Sequence, residues 1–141
     1  MRSPSMSSVR FAFAAVAWLF LACVVVQFFL AGLGVFAGAE NFEVHRQFGY
    51  LFSWLAVIMA VLAAVGRLGR RWIGLSVLLF VLFIMQSVFV VLRDSLPAVA
   101  ALHPVNAVAI FFIAQHVARG SRALFRTDAP AAQSQADPAR T

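Results

Sequence analysis

Lysine is missing. All eleven basic residues of this 141-residue chain are arginine, a bias that points to a GC-rich coding sequence and carries no mechanism of its own. Acid is scarce too, with five Asp and Glu in all and long stretches that hold no charge of either sign. A soluble domain is about half apolar and about a quarter charged. Here 63% of residues are hydrophobic and 11% charged, which places the chain among integral membrane proteins. Cysteine occurs once, as Cys23 inside an apolar run, which excludes an internal disulfide and a CxxC metal site. The net charge of +6 does not indicate nucleic acid, because the arginines flank apolar runs and form no basic patch with interleaved aromatics. No nucleophile arrangement and no pair of catalytic carboxylates occurs. Gly32-Leu33-Gly34 ends a span and precedes no strand–helix unit, so it is not a nucleotide loop.

What the chain has is four apolar runs. They predict spans over about residues 9–36, 42–65, 72–92 and 98–117, each near the 20 residues needed to cross a hydrocarbon core. The predicted fold is an all-α, up-down, four-helix membrane bundle. One membrane domain covers residues 9–119, after a polar head at 1–8 and before a disordered tail at 120–141. Arg2 and Arg10 ahead of an apolar run resemble a signal peptide, but the run continues through Phe36, beyond the 7–15 residues of a cleavable core, so it reads as a retained span. Asn41 is placed to cap the second span, and Asp94 or Ser95 the fourth, with Pro97 in its first turn. His103-Pro104 near the start of the fourth span predicts a kink or a short interfacial turn there.

Arginine also orients the chain. Arg2, Arg10, Arg67, Arg70, Arg71, Arg119, Arg122, Arg126 and Arg140 fall on one side, and only Arg46 and Arg93 on the other. The positive-inside rule then puts both termini in the cytoplasm of a bacterial cell, with anionic lipid as a partner for the arginine-rich face. Small residues at Ala31, Gly34 and Gly38 share a helical face with Gln27, suited to close packing against a neighbouring helix or a second membrane protein.

The polar residues gather at the opposite end. Phe42-Glu43-Val44-His45-Arg46-Gln47-Phe48-Gly49 opens the second span and Leu102-His103-Pro104 the fourth. Ionisable groups at a membrane span are costly and mark candidate sites. His45 and His103 fall at similar depths, on spans that lie diagonally across a four-helix square, roughly 11–14 Å apart. That gap suits one haem ligated from both sides. Gly49 and Ala107, one turn past each histidine, leave room for a flat ring, and Arg46 and Arg93 are placed to pair with its carboxylates. Gln27, Gln86, Asn106 and Glu43 are the polar residues around the pair. The alternative is a cofactor-free structural or accessory subunit in which the same histidines and amides join helix to helix. A zinc site wants three or four ligands and finds two. A transport role lacks interrupted helices and lining charges.

The run Gln27–Gly34, the octet from Phe42 to Gly49, Gln86, Arg93 and Ala101–Ala107 resemble a family of small four-span membrane proteins of unknown function, found mainly in actinobacteria. The likeness covers residues 9–122 and implies fold and location, with no activity. More distantly, the chain is similar to half of a haem A synthase. Those four-helix halves carry Glu-x-x-His-Arg at the start of the second span and a histidine at the start of the fourth. Here the spacing is Glu43-x-His45-Arg46, one residue short. The departure removes the basis for a catalytic role at Glu43, whereas haem ligation by His45 and His103 depends only on their positions.

Overall fold

The computed structural model describes residues 6–126. Four segments are long and apolar enough to cross a membrane, namely Met6–Phe36, Ala39–Val65, Arg70–Val91 and Pro97–Ser121. Their helices are α1 (Met6–Phe36), α2 (Phe42–Val65), α3 (Arg70–Val91), α4 (Pro97–Ala100), α5 (Leu102–Ser121) and α6 (Ala123–Arg126), with a 3-10 turn over Ala39–Asn41. No strand occurs among the described residues. The fold is an all-α four-helix bundle. α1 packs against α2 and α5, and α3 packs against the same two helices, so α2 and α5 face each other across the diagonal.

The boundaries differ from those expected in physically interpretable ways. Met6, Ser7 and Ser8, expected in the polar head, already belong to α1. Its 31 residues span about 46 Å, more than the roughly 30 Å of hydrocarbon. At the other end the helix continues past Gly120 to Ser121, whose hydroxyl donates to the Ala118 carbonyl at 2.8 Å. Val117, Ala118 and Ser121 are buried, and that packing carries the helix into the stretch expected to be tail. Most of the expected tail, from residue 127, lies outside the described residues.

Caps also differ. Asn41 does not cap α2: its backbone is already helical and its side-chain amide donates to the Gly38 carbonyl at 3.0 Å. Neither Asp94 nor Ser95 caps the fourth span; Leu96 holds the N-cap position of α4, with Pro97 next, and the Ser95 hydroxyl turns back toward Leu92. The short turn expected at His103-Pro104 is α4, and α5 restarts at Leu102. Pro104 has no N–H to give to the carbonyl four residues back, which is where the helix breaks. α2 ends in a Schellman arrangement, with Leu68 N–H on Ala63 O, Arg67 N–H on Ala64 O and Arg67 in the left-handed region at φ 47°.

Burial is concentrated at the arginine-rich end. Phe13, Ala17 and Phe20 of α1, Ala56, Met59 and Ala63 of α2, Leu79 of α3, and Ala114, Val117 and Ala118 of α5 form the core. Phe20, Phe52 and Phe83 close its upper side edge-to-face, with centroids 4.9–5.7 Å apart. The outward faces, with Phe11, Phe29, Leu51 and Phe112, are apolar and exposed, as lipid-facing helices require.

Candidate functional site

Above that aromatic floor the helices separate around a cavity of about 930 Å³, reached by residues of α1, α2, α3 and α5. The volume lies toward the top of the range of about 300–1,000 Å³ typical of small-molecule sites. Val24, Phe52, Phe83 and Ile110 form its apolar base, and Gln27, His45, Gln86 and His103 its polar wall.

The two histidines meet across the diagonal. Their ring centroids are 6.3 Å apart and their planes tilted by 54°. His45, in the second turn of α2, donates Nδ1–H to the Gln27 main-chain carbonyl of α1 at 3.2 Å. His103, in the first turn of α5, donates Nδ1–H to the Gln86 main-chain carbonyl of α3 at 3.2 Å. A carbonyl can only accept, so each bond fixes the same neutral tautomer and leaves Nε2 with its lone pair. This is how metal-ligating histidines are usually oriented by their second nitrogen. His103 Nε2 has no hydrogen-bond partner among the described residues.

Gln27 controls the other side of His45. Its amide donates to the His45 carbonyl at 2.8 Å and lies 3.3 Å from His45 Nε2, while its Oε1 is buried without a partner. A Cβ at Gly49 would stand 2.8 Å from Gln27 Nε2. The space expected beside Gly49 for a flat ring is therefore taken by the Gln27 side chain. Ala107 does line the cavity, next to Pro104 and His103. Across the α3–α5 seam, Asn106 donates to the Leu82 carbonyl at 2.9 Å and to Gln86 Oε1 at 2.8 Å, which pins Gln86 beneath His103.

The charged residues stand at the rim. Arg46 pairs with Glu43, and Gln47 donates to the same carboxylate at 2.6 Å. Glu43 and Arg46 side chains are 49% and 58% exposed, and Glu43 lines the cavity at its rim, engaged by Arg46 and Gln47. Arg93 lies 3.6 Å from Asp94, both exposed. Both arginines line the cavity mouth with flexible, solvent-reaching side chains.

His45 and His103 are the residues that could hold a metal between two imidazoles. Among the described residues no three His, Cys, Asp or Glu side chains gather as a metal set. Two imidazoles sharing one metal through a nitrogen of each, at about 2 Å, would have centroids about 6 Å apart, and those of His45 and His103 are 6.3 Å apart. Ligation at His45 requires the Gln27 amide to turn off Nε2.

Several lining residues escaped the sequence reading. Trp54 and Phe80 close the cavity between α2 and α3 with centroids 6.2 Å apart, and Ser53 and Ser87 lie on the same seam. Helical register does not mark them, since Trp54 falls about 180° around α2 from His45 and Phe80 about 120° around α3 from Gln86.

Residues 27–92 match the model of a family described as a family of unknown function (DUF6220). The matched segment carries Gln27, His45 and Gln86 and stops before Arg93 and His103. No curated protein and no solved structure matches the chain.

Proposed function

We propose that this is a haem-binding protein of a bacterial cytoplasmic membrane, with one haem between α2 and α5 ligated by His45 and His103. The observation that carries the reading is the neighbouring pair of imidazoles, each with Nδ1–H committed to a main-chain carbonyl and a lone pair left on Nε2, which at His45 faces the Gln27 amide. A bound bis-imidazole haem supplies reversible one-electron chemistry. This chain's residues hold the rings in one tautomer, exclude water with an aromatic floor, and offer Arg46 and Arg93 at the mouth for carboxylates. The resemblance to half of a haem A synthase points the same way, whereas the resemblance to a four-span family of actinobacteria bears on fold and location alone. Arg10, Arg67, Arg70, Arg71, Arg119 and Arg122 at one end support a cytoplasmic location for both termini and contact with anionic lipid. A homo-oligomer or a membrane partner would meet the exposed apolar faces, because Gly34 of the small-residue face already packs against Phe42 of α2.

Purification from haem-replete cells tests the proposal. The expected result is a Soret band that shifts on reduction and is lost in His45→Ala and in His103→Ala variants that remain helical. A colourless preparation contradicts it.

A second reading has its own observation. The Gln27 amide already joins α1 to α2 at His45, and Asn106 joins α5 to α3 at Gln86. In a cofactor-free accessory subunit these bonds are the whole role of the polar residues. The same spectrum separates the two.

A further inference from the structure

We propose that the arginine-rich end of the α3–α5 seam binds the phosphate of an anionic phospholipid, held by Arg71, His116 and Arg119. The proposal rests on the membrane reading above and is independent of haem.

Described acid is confined to one end. The carboxylates among the described residues are Glu40, Glu43 and Asp94, all at the histidine end. Arg10, Arg67, Arg70, Arg71, Arg119, Arg122 and His116 stand at the other end with no described carboxylate among them. Within that set, Arg71 and His116 are brought together. Arg71 Nη2 donates to His116 Nε2 at 2.5 Å. The cause is packing: a Cβ at Gly120 would lie 2.8 Å from Trp72 Cη2, so the absent side chain lets the indole reach the α5 main chain and sets Arg71 beside His116. In the bond from Arg71, His116 Nε2 accepts, so the ring is neutral; its Nδ1–H and the other guanidinium N–H groups of Arg71 are donors an anion could use, and no described carboxylate stands among them. Arg119 is one turn further along the same face, exposed, and has no ion pair or hydrogen bond among the described residues. Arg122 lies over the Trp18 ring at 4.6 Å, and Arg71 over the Trp72 ring at the longer distance of 5.7 Å.

Shape selects a lipid over a free ion. Phe112, Gln115, His116, Arg119 and Gly120 border a shallow groove of about 470 Å³ on the outward face of α5. Along it the order is Arg119, His116, then Phe112, which is 61% exposed. Polar head and apolar wall are thus one turn apart, matching a phosphodiester followed by an acyl chain. Guanidinium forks suit phosphate oxygens, and the apolar wall has no use for inorganic phosphate.

The test uses the full chain in neutral detergent, titrated with phosphatidylglycerol while adducts are counted by native mass spectrometry. One saturating adduct is expected. Arg71→Gln and Arg119→Gln each weaken it about fivefold, the usual contribution of an arginine at an anionic surface, while Arg67→Gln on the neighbouring loop leaves it unchanged. Phosphatidylcholine binds more weakly, and inorganic phosphate at equal concentration does not displace the lipid. Equal weakening by Arg67→Gln overturns the site in favour of diffuse charge. Equal binding of phosphatidylcholine overturns the anion requirement, and displacement by inorganic phosphate overturns the lipid. Arg119→Gln keeps the test decisive should Arg71→Gln disturb folding, since Arg119 has no described partner to lose. Failure of the membrane reading itself would show separately, as a protein that stays dispersed without detergent.

Discussion

The two halves of this bundle are built on opposite principles. At the arginine-rich half, small residues such as Ala56, Ala63, Ala114 and Ala118 let the helices approach, and Phe13, Phe20 and Met59 fill the space to zero exposure. At the histidine half the same four helices hold about 930 Å³ apart and meet mainly through hydrogen bonds of Gln27, His45, Gln86, His103 and Asn106. In lipid, close packing supplies helix association, because the tails are as apolar as the helices and give no hydrophobic drive. The lower half therefore carries stability. The upper half gives up packing for a polar wall around a cavity, as ligand sites do.

The largest test of that division is loss of a ligand. Replacing His103 or His45 with alanine is expected to abolish haem absorption entirely while leaving helicity, read by circular dichroism, within a few per cent of the parent. The packed half should behave in reverse. Phe20→Ala removes a fully buried ring that touches both Phe52 and Phe83 and is expected to cost about 2 kcal/mol or more, mainly as lost packing, in a detergent unfolding titration. A Phe20→Ala variant as stable as the parent would mean that the core is not where stability resides.

Gln27 sharpens the comparison, since it belongs to both readings. Gln27→Leu gives up its donations to His45, worth about 0.6 kcal/mol as an average interhelical bond in a membrane. Under the haem reading the same change also frees His45 Nε2, so haem affinity is expected to hold or rise while unliganded stability falls. A variant that loses haem and stability together would assign Gln27 to the site's support instead. The smallest effect belongs to the rim. Glu43→Gln breaks an exposed pair with Arg46 and is expected to change stability by less than about 0.5 kcal/mol, and haem binding not at all. A large loss of binding would restore Glu43 to the site.

The sequence showed the four spans, the bundle and the diagonal pairing of His45 with His103, because apolar runs, loop lengths and span order determine them. Helix caps were not legible. Asn41, Asp94 and Ser95 have the right chemistry for capping, but the 3-10 turn and the break before Pro104 moved the helix starts elsewhere. The Gly49 notch was legible as a gap but not its occupant, since an amide on α1 settles there only once helix rotation is known. The asymmetry between packed and open halves was hidden for the same reason: residues facing lipid and residues facing the core are equally apolar in these spans.

The most direct test is a haem titration of the purified protein in detergent, followed by the Soret band and by low-temperature electron paramagnetic resonance of the ferric product. The account predicts saturation at one haem per chain with a low-spin, two-imidazole signal that His103→Ala abolishes. A non-saturating change, or a signal indifferent to His103→Ala, would contradict it.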